Sequence, residues 1–361
     1  AVGCRMTIES SRDEVLRYQG VDSDPVNHGW LCDKGRFAFE SVKGDQRLEQ
    51  PMIKSDGELV ATSWNAALGT AADLIATAIN EAGPSSVAFI GGSRGTNEDA
   101  HAWSLLAKSL GVDAVDAQMD DGLPTGIFNL GQATIDDAAS AATVILLCGD
   151  LKEELPILHL RLRDAAVNRR TKILEFTARK SGLTQYAWKS IGVEPGHVHE
   201  AVASTLNDPE VMARLKHGSV VIVVGRSNVA ESPAFTMAAV DEILAKVPTA
   251  SVLPALRRGN VRGAIEAGLD SGDTRSILEA ASDGRIRCLV LLGADPLGDV
   301  PDSSLVRRAL AGVDSIISVD TMITNSTRRA DVALPAAAFG EKDGTTTNIE
   351  GRVTPVTRTV N

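Results

Sequence analysis

The sequence predicts an α/β protein built on mainly parallel sheets, and three observations carry that reading. First, short strand-like runs are apolar throughout: Ser86 to Ile90, Thr143 to Cys148, Lys172 to Phe176, Val220 to Val224, Cys288 to Leu292 and Ser315 to Val319. Strands without polar alternation belong to sheets covered on both faces. Second, helix-length segments separate them: Trp64 to Glu81, Asn97 to Leu110, Leu155 to Asn168, Asp208 to Lys216, Ala234 to Ala245 and Ser303 to Ala311. Strand and helix in alternation give parallel sheets with helices on their faces. Third, four of the runs end in a glycine followed by polar residues: Gly91-Gly92-Ser93-Arg94, Gly149-Asp150, Gly225-Arg226-Ser227-Asn228 and Gly293-Ala294-Asp295-Pro296. In open α/β sheets the ligand crevice lies outside the carboxyl ends of the strands, so these turns are where function is sought.

In chain order, the first fifty residues differ from the rest. They carry many charges and glycines and only a short β-like patch at Arg5 to Glu9, too little to form a core without a staple. An alanine-rich amphipathic helix from Trp64 closes at Gly83-Pro84, and the strand that follows runs into Gly91-Gly92. Gly111 stops the next helix, and the alternation then repeats as far as Val319. The stretch from Asp331 to Val356, rich in Ala, Gly and Thr, reads as extended loops and short strands.

Composition narrows the function classes. With 361 residues, two or three globular units are expected at about 150 residues each. Thirty-six basic against 47 acidic residues leave a charge of -11, the wrong sign for gripping phosphate backbones. Four Trp, two Tyr and seven Phe are too few for a base-stacking platform, so no nucleic-acid partner is expected. The apolar runs are far shorter than the roughly 18 residues of a membrane helix. No Gly-x-Ser-x-Gly, His-Glu-x-x-His or Walker sequence is present. Four cysteines and no secretory leader in these residues point to a reducing compartment, where thiols are core residues or metal ligands.

Cys148 and Cys288 fall inside apolar runs and read as small buried hydrophobes. Cys4 and Cys32 sit in the charged head and are plausible soft-metal ligands, or two unrelated thiols. Lys34 stands two residues beyond Cys32, either as a solvated loop lysine or as a charge near a bound centre. His197-Val198-His199 lacks a third neighbouring ligand and reads as loop surface, and His28 as a packing or loop residue. Gly91-Gly92-Ser93-Arg94-Gly95 is a strand-to-helix turn without the full dinucleotide fingerprint.

The spacing Cys4-x27-Cys32 resembles the head of the molybdopterin oxidoreductase superfamily, in which a Cys-x2-Cys-x3-Cys-x27-Cys pattern holds one [4Fe–4S] cluster. Cys4 and Cys32 match the last two ligands, and the opening Ala1-Val2-Gly3-Cys4 looks cut just after a preceding cysteine. The segment Pro25 to Phe37, with Leu31-Cys32-Asp33-Lys34-Gly35-Arg36, looks more specifically like the G subunits of proton-pumping NADH:quinone oxidoreductase, respiratory complex I. Arg257-Arg258-Gly259-Asn260-Val261-Arg262-Gly263 is similar to the superfamily's glycine–asparagine turn. Gly293-Ala294-Asp295-Pro296-Leu297 resembles a strand-end turn of the superfamily, and Asp331 to Pro335, Phe339 to Thr345 and Glu350 to Val353 its closing signature.

The resemblance implies a small iron–sulfur head at 1–50 joined by 336–361, a first doubly wound α/β domain from 51–111 and 226–335, and a second α/β domain at 112–225 inserted into it. Cys4 and Cys32 become metal ligands and Lys34 a cofactor neighbour, placed where molybdenum members carry a lysine between cluster and pterin. With two of four ligands in this sequence, the cluster is expected to bind poorly to these residues alone. Molybdenum members also carry a Cys, selenocysteine, Ser or Asp metal ligand after the first α/β unit. Here Gln118-Met119-Asp120-Asp121-Gly122-Leu123-Pro124 offers only carboxylates, so bound molybdopterin is not expected.

The implied role is a scaffold subunit with one off-path cluster, partnered by other peripheral-arm subunits of complex I and without a catalytic residue of its own. Its implied location is cytoplasmic, held on the inner face of the plasma membrane through the complex. The alternative is a molybdenum or tungsten oxidoreductase, such as a formate dehydrogenase α subunit. It would bind pterin dinucleotides at Gly91–Gly95, Gly225–Asn228, Asn260 and Gly293–Pro296, with a metal ligand near Asp120.

Overall fold

The computed structural model describes residues 1–22 and 26–360, so Pro25 of the head motif and Asn361 of the closing segment lie outside the described residues. Sixteen strands run in chain order among the described residues: β1 (Met6–Ser11), β2 (Glu14–Gly20), β3 (Met52–Ser55), β4 (Glu58–Ala61), β5 (Val87–Gly91), β6 (Val115–Asp116), β7 (Thr143–Leu147), β8 (Lys172–Thr177), β9 (Lys189–Gly192), β10 (Val220–Val224), β11 (Ser251–Pro254), β12 (Cys288–Leu292), β13 (Ser315–Asp320), β14 (Val332–Pro335), β15 (Gly344–Thr347) and β16 (Val353–Val356).

Two large sheets hold the core. One has the order β4-β3-β14-β13-β12-β5-β6, with β5, β6, β12, β13 and β14 parallel and β3-β4 an antiparallel hairpin at its edge. The other has the order β11-β10-β7-β8-β9 and is parallel throughout. Every residue of β5, β7, β10 and β12 is buried, which is why these strands read as unbroken apolar runs. Cys148 and Cys288 are buried among them as small hydrophobes.

The observed insertion differs from the expected 112–225. β6 still pairs with β5 in the first sheet, and β11 pairs with β10 in the second. The chain therefore leaves the first sheet after Asp116 and returns only beyond Pro254. The reason is the doubly wound pattern itself. After β10 the helix Pro233–Lys246 crosses over to add one more parallel strand, and that strand is only four residues long and ends in proline, a weak signal in the sequence.

The head has a small core of its own. β1 and β2 form a two-stranded antiparallel ribbon whose fully buried apolar residues are Val15 and Tyr18, joined by Val360 from the far end of the chain. Asn27, buried, holds the next loop by accepting from the Arg5 N–H (3.1 Å) and donating to the carbonyls of Arg5 (3.2 Å) and Trp30 (2.9 Å). The remaining staples come from elsewhere. Gly340 accepts from the amides of Thr359 and Val360, Asn348 donates to the Val2 carbonyl (2.8 Å), and Arg161 of the inserted domain donates to the Val26 carbonyl (3.0 Å).

The closing hairpin β15-β16 packs on the helix Asn97–Leu110 through a polar seam. Asn97 donates to Thr345 and Thr347, Glu98 accepts from the Thr345 N–H and Oγ1, and Lys342 pairs with Asp99. Asn260, buried, joins three segments: its own N–H donates to the Ser93 carbonyl, its Nδ2 to the Gly95 carbonyl, and its Oδ1 accepts from the Thr347 N–H at 2.7 Å.

Replacing Asn260 by alanine strands the part-buried Gly95 carbonyl and the buried Thr347 amide at once. Asn260→Ala is expected to lower stability by about 3 kcal/mol in urea unfolding, with Asn260→Asp recovering only the Thr347 bond. Burial pushes the Asp99 carboxyl up, but the hydrogen bonds and charge of Lys342 and the Thr96 amide outweigh it and hold it below the ordinary value. A carboxyl depressed in the folded state adds stability above the unfolded carboxylate range and loses it as pH falls through the folded value. Thermal melts should show wild type more stable than Asp99→Asn at neutral pH, with the gap closing below about pH 4.

Candidate functional site

Each large sheet reverses winding at one place, and the glycine turns foreseen from the sequence sit there. In the first sheet β5 leads to β6 on one side, whereas β12 leads to β13 and β14 on the other. The carboxyl ends of the neighbours β5 and β12 therefore open onto a crevice. Gly91 and Gly92 turn away from it with φ of +106° and +97°, and a Cβ on Gly91 would collide with the Leu292 carbonyl oxygen. Only glycine lets these two backbones approach so closely.

Above this point lies a cleft of about 780 Å³. Its floor is Gly92, Ser93, Arg94 and Gly293, its wall includes Asp320 at the end of β13, and the head contributes Cys4 and Tyr18. Arg94 reaches Asp299 at 2.9 Å, and Lys342 is paired with Asp99. Asp320 accepts from the amides of Thr321 (2.7 Å) and Met322 (3.3 Å) through Oδ1, while its buried Oδ2 has no partner. The buried Ser93 Oγ also has none. Burial pushes the Asp320 carboxyl above its ordinary range.

In the second sheet β7 leads to β8 and β9, and β10 to β11, so the corresponding point lies between Gly149-Asp150 and Gly225–Asn228. Here side chains from the same region fill the turn. The Glu154 carboxylate sits over Gly149, with Oε1 2.6 Å from where a Cβ would be. Asp150 accepts from the amides of Lys152 (3.0 Å) and Gly182 (3.1 Å), and Arg226 folds onto the carbonyls of Asn228 (3.1 Å) and Val229 (2.7 Å). Burial raises the Glu154 carboxyl, with Arg257 opposing it.

The segment Gln118–Pro124 lies against this same region. Arg226 donates to the Asp120 carbonyl and stands 3.5 Å from its carboxylate, while Asp121 is buried between Arg257 and Arg258, the latter at 2.7 Å. Both carboxylates therefore have cationic partners within the chain.

Of the two head thiols, Cys4 lines the cleft. Cys4 and Cys32 are half-buried, and Cys32 is near enough to act on the Cys4 thiol. Burial is the main cause that pushes the Cys4 thiol up to about 11. Cys32 caps the short helix Asp33–Phe37, and Gly35 packs close to its sulfur. A [4Fe–4S] cluster takes four soft sulfur ligands, and these two residues fit half of such a set. Lys34 reaches from the head to the Glu153 carbonyl of the inserted domain at 3.3 Å. His197 precedes the helix Val198–Thr205 and binds Glu200 at 2.6 Å, and His199 stacks on Phe235. The His28 ring packs against Trp30.

Two features of the site escape sequence reasoning: the closing of the second crevice by Glu154 and Arg226, and the place of Asp320. A carboxylate ending an apolar strand beside a glycine turn was the available signal for Asp320.

Residues 47–361 match the molybdopterin oxidoreductase family, and residues 1–44 match the molybdopterin oxidoreductase Fe4S4 domain. The chain is similar to the NADH-quinone oxidoreductase G subunit of Streptomyces coelicolor, 29% identical over 420 residues, covering 97% of this chain and 48% of that protein. It is also similar to the F420-dependent formate dehydrogenase 2 subunit alpha of Methanococcus maripaludis, at 24% identity over 99% of this chain and 66% of that one. The chain thus spans about half the length of the Streptomyces relative. Among solved structures, the acetylene hydratase from Pelobacter acetylenicus shares the fold, with a TM-score of 0.67 at 14% identity over 99% of this chain and 65% of that one. The chain belongs to the molybdopterin oxidoreductase family, with the family's Fe4S4 domain as its head.

Proposed function

We propose that this chain is part of a G subunit of NADH:quinone oxidoreductase, serving as a scaffold of the peripheral arm beside an off-path [4Fe–4S] cluster. The observation that carries the reading over a molybdenum enzyme is the arginine clamp on Asp120 and Asp121. The carboxylates in the segment where a molybdenum ligand is sought are already neutralised by Arg226, Arg257 and Arg258. A carboxylate in a bidentate or doubly paired arginine contact gives up much of its binding energy before it can coordinate a metal.

In this reading Cys4 and Cys32 supply two of the sulfur ligands and two further cysteines lie outside this sequence. When bound, the cluster takes up and releases one electron at a time. The protein's part is electrostatic. Lys34 favours the more negative reduced form and, through its bond to Glu153, keeps the head seated on the inserted domain. The partners are other peripheral-arm subunits. Among the described residues no helix is long and apolar enough to cross a membrane. In this reading the subunit is held on the inner face of the plasma membrane through the complex.

A formate dehydrogenase-like reading is favoured by one observation, the open cleft beside Cys4 at the first crevice. Metal and pterin analysis of the full-length protein separates the two. Iron without molybdenum, tungsten or fluorescent pterin is the expected result. Cys32→Ser should remove about four iron atoms per chain and the electron paramagnetic resonance signal of one reduced cluster, with the far-ultraviolet circular dichroism unchanged. Molybdenum or tungsten with two pterins per chain would overturn the proposal.

A further inference from the structure

The end of the second sheet away from its crevice, where the strands begin, carries a charge opposite to that of the chain. The chain as a whole is net -11. At this end Arg169, Arg170 and Lys172 lead into β8, and Arg214 and Lys216 lead into β10. In the order β11-β10-β7-β8-β9 these two entries flank that of β7, so they stand two strand spacings apart, about 10 Å. Both converge on Ala142, just before β7. The Lys172 N–H donates to the Ala142 carbonyl at 3.1 Å, and Arg214 Nη2 donates to the same oxygen. Arg214 Nε reaches Thr143 Oγ1 at 3.0 Å, and the Ala142 N–H donates to Ser219 Oγ at 3.2 Å. A Cβ on Gly218 would strike that of Ala142, so the ground between the two groups of cations is made of small residues.

Acids of the chain neutralise only part of this charge. Asp164 pairs with Arg169 at 3.5 Å, and Asp208 and Glu210 hold Lys189 at 2.7 and 2.9 Å. Arg170, Lys172 and Lys216 are exposed and have no carboxylate at ion-pair distance among the described residues. Arg214 is bonded to neutral oxygens, which leave its charge in place. Arg170 holds φ of +65° just past the helix Pro156–Asn168, where glycine is the usual residue, so an arginine here carries a conformational cost. Beside this face, at the entry of β9, stand the part-buried Tyr186 and Trp188, the latter donating from its N–H to the Ile173 carbonyl at 2.8 Å. Arg163 lies 5.5 Å over the Tyr186 ring and Lys189 5.3 Å over that of Trp188. Arginine together with tyrosine and tryptophan is the composition enriched at protein interfaces.

We infer that this face, with Arg170, Lys172, Arg214 and Lys216 around Ala142 and the two aromatics at its edge, is a docking surface for an acidic segment of a protein partner. Charge decides the class of partner. Screening confines the field of the patch to about 8 Å at physiological salt, so a compact acidic segment meets the patch alone. An extended polyanion, whether a nucleic acid or an anionic bilayer, also meets the acidic remainder of the chain. The inference goes beyond the function proposed above and does not depend on which redox assembly the chain serves.

The test is zero-length carbodiimide cross-linking of the assembly isolated from its native cells with the full-length protein in place, read by peptide mass spectrometry. Lys172 or Lys216 should be joined to an Asp or Glu of another polypeptide. Acetic anhydride should acetylate both lysines about ten-fold more slowly in the assembly than in the isolated full-length protein. Lys172→Glu combined with Lys216→Glu should lower the co-purifying amount of that polypeptide about ten-fold, with the melting temperature changed by no more than a few degrees. Should this pair fail to fold, Lys172→Gln with Lys216→Gln takes its place. Cross-links confined to the chain itself, equal acetylation in both states, or a double variant that keeps the partner at the wild-type level overturns the inference. Binding of the isolated protein to phosphatidylglycerol vesicles or to duplex DNA that the double variant loses also overturns it, by showing a different class of partner.

Discussion

The first domain is organised around the close approach of two backbones, those of β5 and β12 at their carboxyl ends. The hydrogen bond from the Gly92 N–H to the Leu292 carbonyl, at 2.7 Å, is possible only because no Cβ stands between them. That contact sets the point where the sheet changes winding direction, and hence where a crevice opens. It also fixes the Ser93–Gly95 loop that Asn260 grips from the returning chain. Through Asn260 the loop is tied to Thr347, and so the closing hairpin, the inserted domain's exit and the crevice share one network of buried polar bonds. Such a network fixes a single arrangement because each unmet bond in it is expensive.

The two crevices show how one architecture is filled differently. Both lie at a reversal of strand order and both begin with glycine, but the second is occupied by Glu154 and Arg226 from its own vicinity. The first keeps its space, and its cations Arg94 and Lys342 are paired with Asp299 and Asp99.

Much of this was legible in the sequence. Buried parallel strands such as Val220–Val224 and Cys288–Leu292 announce themselves because burial on both faces removes all polar residues. The helix Asn97–Leu110 is equally plain, with Thr96 and Asp99 forming a capping box and Gly111 ending it. The hairpin β3-β4 and the edge strand β11 escaped, because four-residue strands carry too few residues to show a period. Cys4 and Cys32 stood out by spacing and resemblance. Asp320 and the arginine clamp on Asp121 did not, since ion pairs 136 residues apart in sequence depend on how two domains are laid together.

The stapling of the head by the last residues has a consequence for biogenesis. Val2 meets Asn348 across 346 residues, and Val15 and Tyr18 share their small core with Val360. A ribosome makes residues 1–20 well before residues 340–360, which complete their surroundings. The head is therefore made early and finished late, and Cys4 lacks its neighbours until the closing segment has emerged. A change in residues 340–360 would be felt at the head, in a region whose own codons are intact.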